Sequence, residues 1–207
     1  MVHLHASAFS EVIRRLSAVR DPACLLDATG NYLFVNEAWS RDGAAEQVEE
    51  GRGLVGTSWL DRFDCEEVRR LHAEFLFHAL KPAPGTRPRP EVHVLERNTS
   101  TSAVLVAMRM EPVLLDGGPV AVAITHTPVR ERPIDEVYPP VERGLEEYRA
   151  LDGTVTQCAC CRRLRDPAEE GRWDLVQALV ESPPAGAVQG LCGMCRELHY
   201  GQQPAEE

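Results

Sequence analysis

The sequence predicts an α+β protein that ends in a small metal-binding module. Segments with helical and strand periodicity follow one another in the order helix, two strands, several helices and three strands. Two Cys-x-x-Cys pairs follow near the end of the chain, with residues 162–191 between them. Paired cysteines at this spacing are typical of a metal site.

Size and charge limit the possible functions. A chain of 207 residues is long enough for one domain of ordinary size and a small accessory unit. Its 43% of hydrophobic residues is typical of a globular protein. The net charge of −10 disfavours binding to nucleic acid or anionic lipid, because such binding needs clustered Lys and Arg.

The sequence also predicts a cytoplasmic location. Residues 1–10 lack the apolar core of a signal peptide, and no stretch reaches the roughly 18 apolar residues that a membrane helix needs. Five of the seven cysteines lie between residues 158 and 195, a pattern unlike the disulfide frameworks of small secreted proteins. We therefore expect reduced thiols and a bound metal.

Periodicity assigns most of the first 130 residues to helices and strands. The first helix is predicted to be amphipathic, and Asn36 is placed to cap the second. The predicted helices cover residues 8–19, 36 to about 46–50, 57–63 and 66–80, and the predicted strands cover 23–27, 32–35, 91–96, 103–112 and 119–127.

The composition changes after Pro128, where an Arg-Glu-Arg-Pro run and then Tyr-Pro-Pro indicate a connector. Short helices are predicted over residues 141–151 and, between the cysteine pairs, over 173–180. The predicted organisation is a domain over residues 8–130, a connector over 131–155, a cysteine module over 156–200 and a flexible tail over 201–207.

Two stretches of the first domain resemble the PAS family. Residues 27–39, Asp-Ala-Thr-Gly-Asn-Tyr-Leu-Phe-Val-Asn-Glu-Ala-Trp, look like the PAS hairpin signature, in which a turn with Asp and Gly precedes a strand ending in Val-Asn and then a helix. Residues 54–59, Leu-Val-Gly-Thr-Ser-Trp, are similar to the loop before the middle helices of that family. The resemblance covers about residues 11–129.

The PAS resemblance implies a five-stranded antiparallel sheet with helices on one face, and often a ligand pocket. It further implies a sensory domain without catalytic activity, whose ligand stays unknown, and a homodimer formed through the helix at residues 8–19. Haem-binding PAS domains can offer an iron ligand from the long helix, where His72 and His78 lie. A histidine beside an apolar face is more often a core or surface residue, so haem is the lesser alternative.

The remaining cofactor candidates of this domain are expected to be core residues. Cys24 and Cys65 are expected to be small buried hydrophobes, and the sequence around Cys65 lacks the Asn-Cys-Arg-Phe-Leu-like motif of a light-sensing flavin site. Trp39 and Trp59 are expected to fill the core rather than to stack on a cofactor.

Cys158, Cys161, Cys192 and Cys195 predict one zinc site. A two-residue gap lets both sulfurs of a pair face one ion, and two pairs complete a tetrahedral site with Zn–S distances of about 2.3 Å. Four thiolates leave no position for water, so the site should be structural. The segment has little apolar material of its own, so the metal should supply much of its stability. Cys160 could enter the site only if the turn were distorted.

Residues 156–200 resemble a short C-terminal module found after PAS, GAF and receiver domains in bacterial signalling proteins. That module has Cys-x-x-Cys followed by a basic-Ile-Arg-Asp element, then Gly-x-Trp, a helix, and a Gly-Ile-Cys-x-x-Cys ending. This chain has Arg-Leu-Arg-Asp over residues 163–166, Gly-Arg-Trp over 171–173 and Gly-Leu-Cys-Gly-Met-Cys over 190–195. It departs from the pattern at Cys160 and at the Gly-Met pair, where a Pro-acidic pair is usual.

Alternative chemistries of the cysteines stay open at this point. Rubredoxin-type iron expects a glycine after each pair, where Arg162 and Arg196 stand, and a c-type haem needs Cys-x-x-Cys-His, which neither pair has. Oxidation could release zinc in a redox switch, since Arg162, Arg163 and Arg165 would favour thiolates. His199 could replace a cysteine ligand, although a surface role is more typical.

The sequence thus predicts a bacterial cytoplasmic signalling adaptor, with a PAS domain that senses a ligand or partner and a structural zinc module that binds protein. No Gly-rich phosphate loop, acid/base pair or nucleophile elbow occurs, so we expect no enzymatic activity. The alternatives are a haem- or flavin-dependent PAS sensor and a transcription regulator whose module contacts DNA. The arginines that motivate DNA contact are Arg162, Arg163, Arg165, Arg172 and Arg196.

Overall fold

The structure is a computed structural model, and it describes the backbone of residues 2–41, 53–81, 88–115 and 118–200. In these ranges the helices are α1 (Val2–Ser17), α2 (Glu37–Arg41), α3 (Glu66–Leu80), α4 (Ile134–Val137) and α5 (Gly193–Tyr200), with 3₁₀ turns over Trp59–Arg62, Leu145–Tyr148 and Gln177–Leu179. The strands are β1 (Ala23–Asp27), β2 (Tyr32–Val35), β3 (Glu91–Asn98), β4 (Ser102–Leu115), β5 (Gly118–Pro133), β6 (Thr156–Cys158), β7 (Leu164–Arg165), β8 (Trp173–Asp174) and β9 (Val188–Gly190).

Strands β1 to β5 form one sheet in the order β2-β1-β5-β4-β3. Strand β1 pairs antiparallel with both β2 and β5, so that Leu25 lies opposite Phe34 on one side and Ala123 on the other. This confirms the α+β class and the five-stranded antiparallel sheet that the PAS resemblance implied. All five strands of this sheet are found where periodicity predicts them, and β3, β4 and β5 are longer than predicted.

Both faces of β1 are buried, because its alternate side chains contact different elements. Ala23 and Leu25 belong to a cluster with Leu16 of α1, against which Phe9 and Val12 also pack. The apolar face predicted for the first helix therefore packs against the sheet of the same chain. A register shift in the β1–β2 pairing pairs Leu25 with Phe34 and Leu26 with Tyr32, and Tyr32 contacts Trp39 of α2, with ring centroids 6.1 Å apart.

Asn36 joins three elements at the start of α2. Its side-chain oxygen accepts hydrogen bonds from the backbone N–H groups of Ala23 and Trp39, both at 2.9 Å, so it caps α2 as predicted. Its amide nitrogen donates to the carbonyls of Val19 and Asp21, at 3.1 Å and 2.9 Å. One buried side chain thereby fixes the end of α1, the start of β1 and the start of α2. The rest of the predicted helix, up to residues 46–50, lies outside the described residues.

Contacts between Cα atoms divide the chain into two compact units. The first unit comprises Met1–Phe63, Arg69–Val92 and Met108–Thr127, and the second comprises Asp64–Val68, His93–Ala107 and Pro128–Glu207. The division falls within β3, β4 and β5, so the ends of these strands belong to the unit that contains the cysteines. Strand β5 itself continues to Pro133, beyond the predicted start of the connector at residue 131.

The second unit contains a small sheet in the order β8-β7-β6-β9. Two predicted helices of this unit are wrong. Residues 141–151 contain only a 3₁₀ turn over Leu145–Tyr148, and residues 173–180 contain the short strand β8 and a second 3₁₀ turn. Trp173 and Asp174 are extended because they pair with Arg165 and Leu164 of β7. No helix within the described ranges is both long and apolar enough to cross a membrane.

Candidate metal centre

The first cysteine pair lies in a tight turn between β6 and β7. Cys158 ends β6, and its carbonyl accepts from the N–H of Arg162 at 3.0 Å, while its own N–H donates to the carbonyl of Arg163 at 2.8 Å. Arg162 has a φ of 65°, in the left-handed region that non-glycine residues rarely adopt. The turn therefore brings Cys161 back toward Cys158.

The second pair reaches the same place through strand pairing and a helix start. Strand β9 runs parallel to β6, with Gly190 opposite Cys158, so Cys192 follows two residues beyond the end of this pairing. Helix α5 begins at Gly193, which places Cys195 in its first turn. The backbone N–H of Cys195 donates to the Cys192 sulfur at 3.4 Å.

The four predicted sulfurs lie together and are buried. The Sγ atoms of Cys158, Cys161, Cys192 and Cys195 all lie within 4.8 Å of one another, and that of Cys161 lies 3.7 Å from that of Cys192. A regular tetrahedron with Zn–S distances of about 2.3 Å has S–S edges of about 3.8 Å, so the cluster has the size that a tetrahedral ion needs. These four cysteines could hold a metal ion, and none of them forms a disulfide.

Cys160 lies between the first two cysteines without joining this group of four. Its residue is partly exposed, whereas the four clustered cysteines are at most 1% exposed. The first and fourth residues of Cys-Ala-Cys-Cys, Cys158 and Cys161, thus contribute the sulfurs of this pair to the cluster. The side chain of His199, the other residue considered as a replacement, lies outside the described residues.

Arg163 is one of three arginines that the sequence places near the thiolates, and the structure distinguishes it from Arg162 and Arg165. Its guanidinium is buried against the cluster, where Nε donates to the sulfur of Cys161 at 3.0 Å and Nη2 donates to that of Cys192 at 3.4 Å. Nη1 also contacts the sulfur of Met194 at 2.9 Å. Arginine is usually a surface residue, so composition and periodicity do not distinguish Arg163 from its neighbours.

On its other side Arg163 meets an acidic and an aromatic side chain. Its Nη2 lies 3.5 Å from a carboxylate oxygen of Glu96 in β3, and its guanidinium lies 5.3 Å from the ring centre of Tyr138. The hydroxyl of Tyr138 donates to Glu96. Burial and the bond to Glu96 raise the pKa of Tyr138 well above its usual value, so it stays a neutral donor. Burial lowers the pKa of Arg163, but the charges of Cys161 and Cys192 raise it more, so the guanidinium stays charged.

Strand β3 also contacts the cysteine turn directly. The side-chain nitrogen of Asn98 donates to the carbonyl of Cys161 at 2.8 Å and to Glu96 at 3.1 Å. At the neighbouring turn, the N–H and hydroxyl of Ser100 both donate to the carboxylate of Glu181, at 3.0 Å and 2.5 Å. Residues at the end of β3 are therefore part of the surroundings of the cluster.

The Arg-Asp and Gly-x-Trp elements of the module meet in an ionic network. Arg143 donates to Asp166 and, at 3.2 Å, to Asp174. Tyr148 donates to the same oxygen of Asp174 at 3.0 Å, and Arg172 donates to Asp174 at 3.0 Å. Arg143 and Tyr148 come from the predicted connector, so residues 143–148 are built into the module rather than free of it. This explains why the charged segment does not form the predicted helix.

The predicted haem candidates have different surroundings. His72 is buried in α3, and its ring stacks on that of Phe63 with centroids 4.1 Å apart, while Trp59 and Phe75 lie at 5.3 Å and 5.8 Å. An aromatic core position of this kind is the role that the sequence analysis favours. His78 is exposed near the end of α3.

The other cofactor candidates are core residues of the kind expected. Trp39 and Trp59 are each 1% exposed, and Cys24 and Cys65 are buried. Burial raises the pKa of the Cys24 thiol well above its usual value, which keeps this group protonated and unreactive.

The residues that follow the two cysteine pairs bear on the identity of the metal ion. The absence of glycine after the first pair counted against rubredoxin-type iron, but Arg162 adopts the left-handed conformation that glycine would favour. That residue therefore does not exclude a rubredoxin-like turn. The second pair differs from the first, because Arg196 lies within α5 and Cys195 in its first turn.

Several arginines that motivated DNA contact have partners within the second unit. Arg163 is buried against the sulfurs, Arg172 donates to Asp174 and Glu169, and Arg196 lies 2.9 Å from Glu67. These pairings neutralise three of the five charges that a phosphate backbone would need.

No protein-family model and no curated protein matches the chain. The PAS domain of BvgS from Bordetella pertussis aligns with a TM-score of 0.47 and 15% identity, over 61% of this chain and 89% of that chain. A phage VqmA-DPO complex aligns with a TM-score of 0.41 and 16% identity, over 64% of this chain and 56% of that chain. TM-scores and sequence identities this low assign no ligand and no partner to this chain. The strand order and the sulfur cluster describe an α+β chain that combines a five-stranded antiparallel sheet with four cysteines able to bind a metal ion.

Proposed function

We propose that this protein is a bacterial cytoplasmic signalling adaptor, in which a PAS-like domain senses a ligand or partner and a structural zinc module binds another protein. The single observation that carries the proposal is the closed cluster of four buried sulfurs within 4.8 Å of one another. Such a site has no open position for water or substrate, so it organises the chain rather than performing chemistry.

The ion is assigned from the donor set together with the local backbone. Soft thiolates select zinc or iron, and a four-sulfur site with a tetrahedral size suits both. One pair lies in a turn and the other at the start of α5, which departs from the paired turns of rubredoxin. We therefore assign zinc to Cys158, Cys161, Cys192 and Cys195.

We propose no enzymatic activity, because the ionisable residues that the structure describes beside this centre are engaged with one another. The nearby ionisable residues serve other roles: Arg163 binds sulfur and Glu96, and Asp166 and Asp174 are held by Arg143. A module whose polar groups satisfy one another is suited to present a fixed surface to a partner.

The adaptor function can be tested by affinity capture from cells with the full chain, compared with a Cys192→Ser variant and a Cys160→Ser variant. A partner held by the wild type and Cys160→Ser but lost with Cys192→Ser supports a zinc-dependent protein surface. The absence of any such zinc-dependent partner would count against the adaptor function.

Two measurements test the alternative functions. Retention on duplex DNA that falls steeply with salt would instead support a DNA-contacting regulator. Visible absorbance of the purified protein would indicate a haem or flavin sensor. The adaptor proposal expects neither result.

A further inference from the structure

The buried guanidinium of Arg163 lies between two groups of negative charge. On one side are the sulfurs of Cys161 and Cys192, at 3.0 Å and 3.4 Å, and on the other is the carboxylate of Glu96, at 3.5 Å. Arg163 and Glu96 are only 4% and 7% exposed, so water screens neither side well. This places one buried cation in contact with both the candidate metal centre and strand β3.

A zinc ion bound by four thiolates carries a net charge of −2, which is costly to bury without compensation. Arg163 supplies a positive charge and two hydrogen bonds to that centre, and charge-assisted bonds of this kind are among the stronger ones. The geometry of these bonds depends on the positions of the sulfurs. The ion is what would keep four negatively charged sulfurs within 4.8 Å of one another.

The same guanidinium arranges the end of β3. Glu96 faces Arg163, accepts from the hydroxyl of Tyr138, and accepts from Asn98 at 3.1 Å. If the sulfurs separated, Arg163 would lose the acceptors that hold it, and Glu96 would lose its fixed counter-charge. A buried carboxylate without a fixed partner is unfavourable, so the strand end would loosen to hydrate it.

We infer that Arg163 couples occupancy of the metal centre to the order of the end of β3, so that this strand responds to whether zinc is bound. Arg163 acts here as a positioning residue. The inference rests on the proposed zinc site and extends it, because it assigns the ion a regulatory effect on the sheet end as well as a structural one within the module.

Two side chains outside the Arg163 contacts serve as comparisons. Glu181 accepts two hydrogen bonds from Ser100, just beyond the end of β3, and does not contact the sulfur cluster. Arg165 is an exposed arginine of β7, two residues from Arg163. Removal of either side chain leaves the Arg163 contacts in place.

Hydrogen exchange of the full-length chain, followed by mass spectrometry with and without a zinc chelator, tests this inference. In the wild type, we expect amides of residues 93–98 to exchange about tenfold faster after zinc removal, since bonds to charged groups are lost. In Arg163→Met, with zinc still bound, those amides should already exchange at the faster rate. Arg165→Met and Glu181→Ala should behave as the wild type does.

Native mass spectrometry of each variant separates the possible failures. Equal exchange at residues 93–98 with and without zinc in the wild type, or a wild-type response in Arg163→Met, would overturn the coupling while leaving the zinc module intact. If Arg163→Met cannot hold zinc, Glu96→Gln replaces it, and this variant should hold zinc yet show a reduced response. An unchanged response in Glu96→Gln would also overturn the inference. A wild-type chain that binds no zinc would overturn the proposed function itself.

Discussion

The side-chain nitrogen of Asn98 lies 2.8 Å from the main-chain carbonyl oxygen of Cys161. This bond joins the end of β3 to the turn that carries the first cysteine pair, in a place where water has limited access. It holds the backbone of the turn rather than the sulfur itself. The contact therefore bears on the stability of the unit more than on the identity of the ion.

Replacement of Asn98 by alanine should destabilise the fold without releasing the metal. We expect the free energy of unfolding to fall by about 1–2 kcal/mol, because the Cys161 carbonyl loses its side-chain donor. Urea unfolding followed by circular dichroism measures this change, and metal analysis should still find one ion per chain. Val92→Ala, an exposed position of the same strand, should change stability by less than about 0.5 kcal/mol. Equal effects of the two substitutions would contradict this assignment.

Gly30 is required by both backbone conformation and space. Its φ is +84°, and a Cβ atom there would lie 2.9 Å from Cδ2 of Leu76 in α3. Gly56 has a similar φ of +88°, but a Cβ there would meet nothing within 4 Å. Gly56→Ala should therefore cost only the conformational term, about 1 kcal/mol, and Gly30→Ala should cost roughly 1 kcal/mol more. Thermal unfolding compares them, and equal losses would show that the contact with Leu76 adds nothing.

Asp27 should make the hairpin turn sensitive to acid. Burial raises the pKa of its carboxyl, but bonds from Thr29 and Asn31 lower it more, so the pKa lies below the usual 3.8. A lowered folded-state pKa gives stability that is present above the unfolded value and is lost as pH falls through the folded value.

The substitution Asp27→Asn isolates this contribution. The wild type should be more stable than Asp27→Asn at pH 7, and the difference should shrink as the pH falls below 3.8. Urea midpoints of both proteins across this range measure the difference. A gap that stays constant with pH would show that the charge of Asp27 is not involved.

The elements that the sequence predicts well are those whose local pattern and tertiary contacts agree. Helix α3 covers residues 66–80 as predicted, because one apolar face, early acidic residues and the following proline all favour the same boundaries. The predicted bounds of β1 and β2 are likewise confirmed, since the turn at Asp27 fixes where β1 ends and where β2 begins. The clustering of the four sulfurs also follows from the spacing of the two pairs, because each gap closes a turn that faces one point.

Errors occur where tertiary partners outweigh local preference. Residues 141–151 are charged and suit a helix, yet Arg143 and Tyr148 are held by Asp166 and Asp174, which keeps only one 3₁₀ turn. Residues 173–180 have an amphipathic pattern, but Trp173 pairs with Arg165 in the small sheet. In both segments, hydrogen bonds and strand pairing with other parts of the second unit outweigh the local preference for a helix.

Arg163 could not be distinguished from Arg162 and Arg165 in the sequence for a related reason. Three arginines, Arg162, Arg163 and Arg165, follow the first cysteine pair, and only the three-dimensional turn selects the one that contacts the sulfurs. A run of basic residues therefore suggested phosphate contact, although one member of it is a buried partner of sulfur and Glu96.

The most direct test of the account is the metal content of the purified chain, measured by native mass spectrometry under nondenaturing and then denaturing conditions. We expect one zinc ion per chain in the wild type and in Cys160→Ser, and loss of that ion in Cys158→Ser and Cys192→Ser. All cysteines should react as free thiols once the zinc is removed and the chain is denatured. A wild-type chain without metal, or one whose mass shows disulfides among Cys158, Cys161, Cys192 and Cys195, would contradict the account.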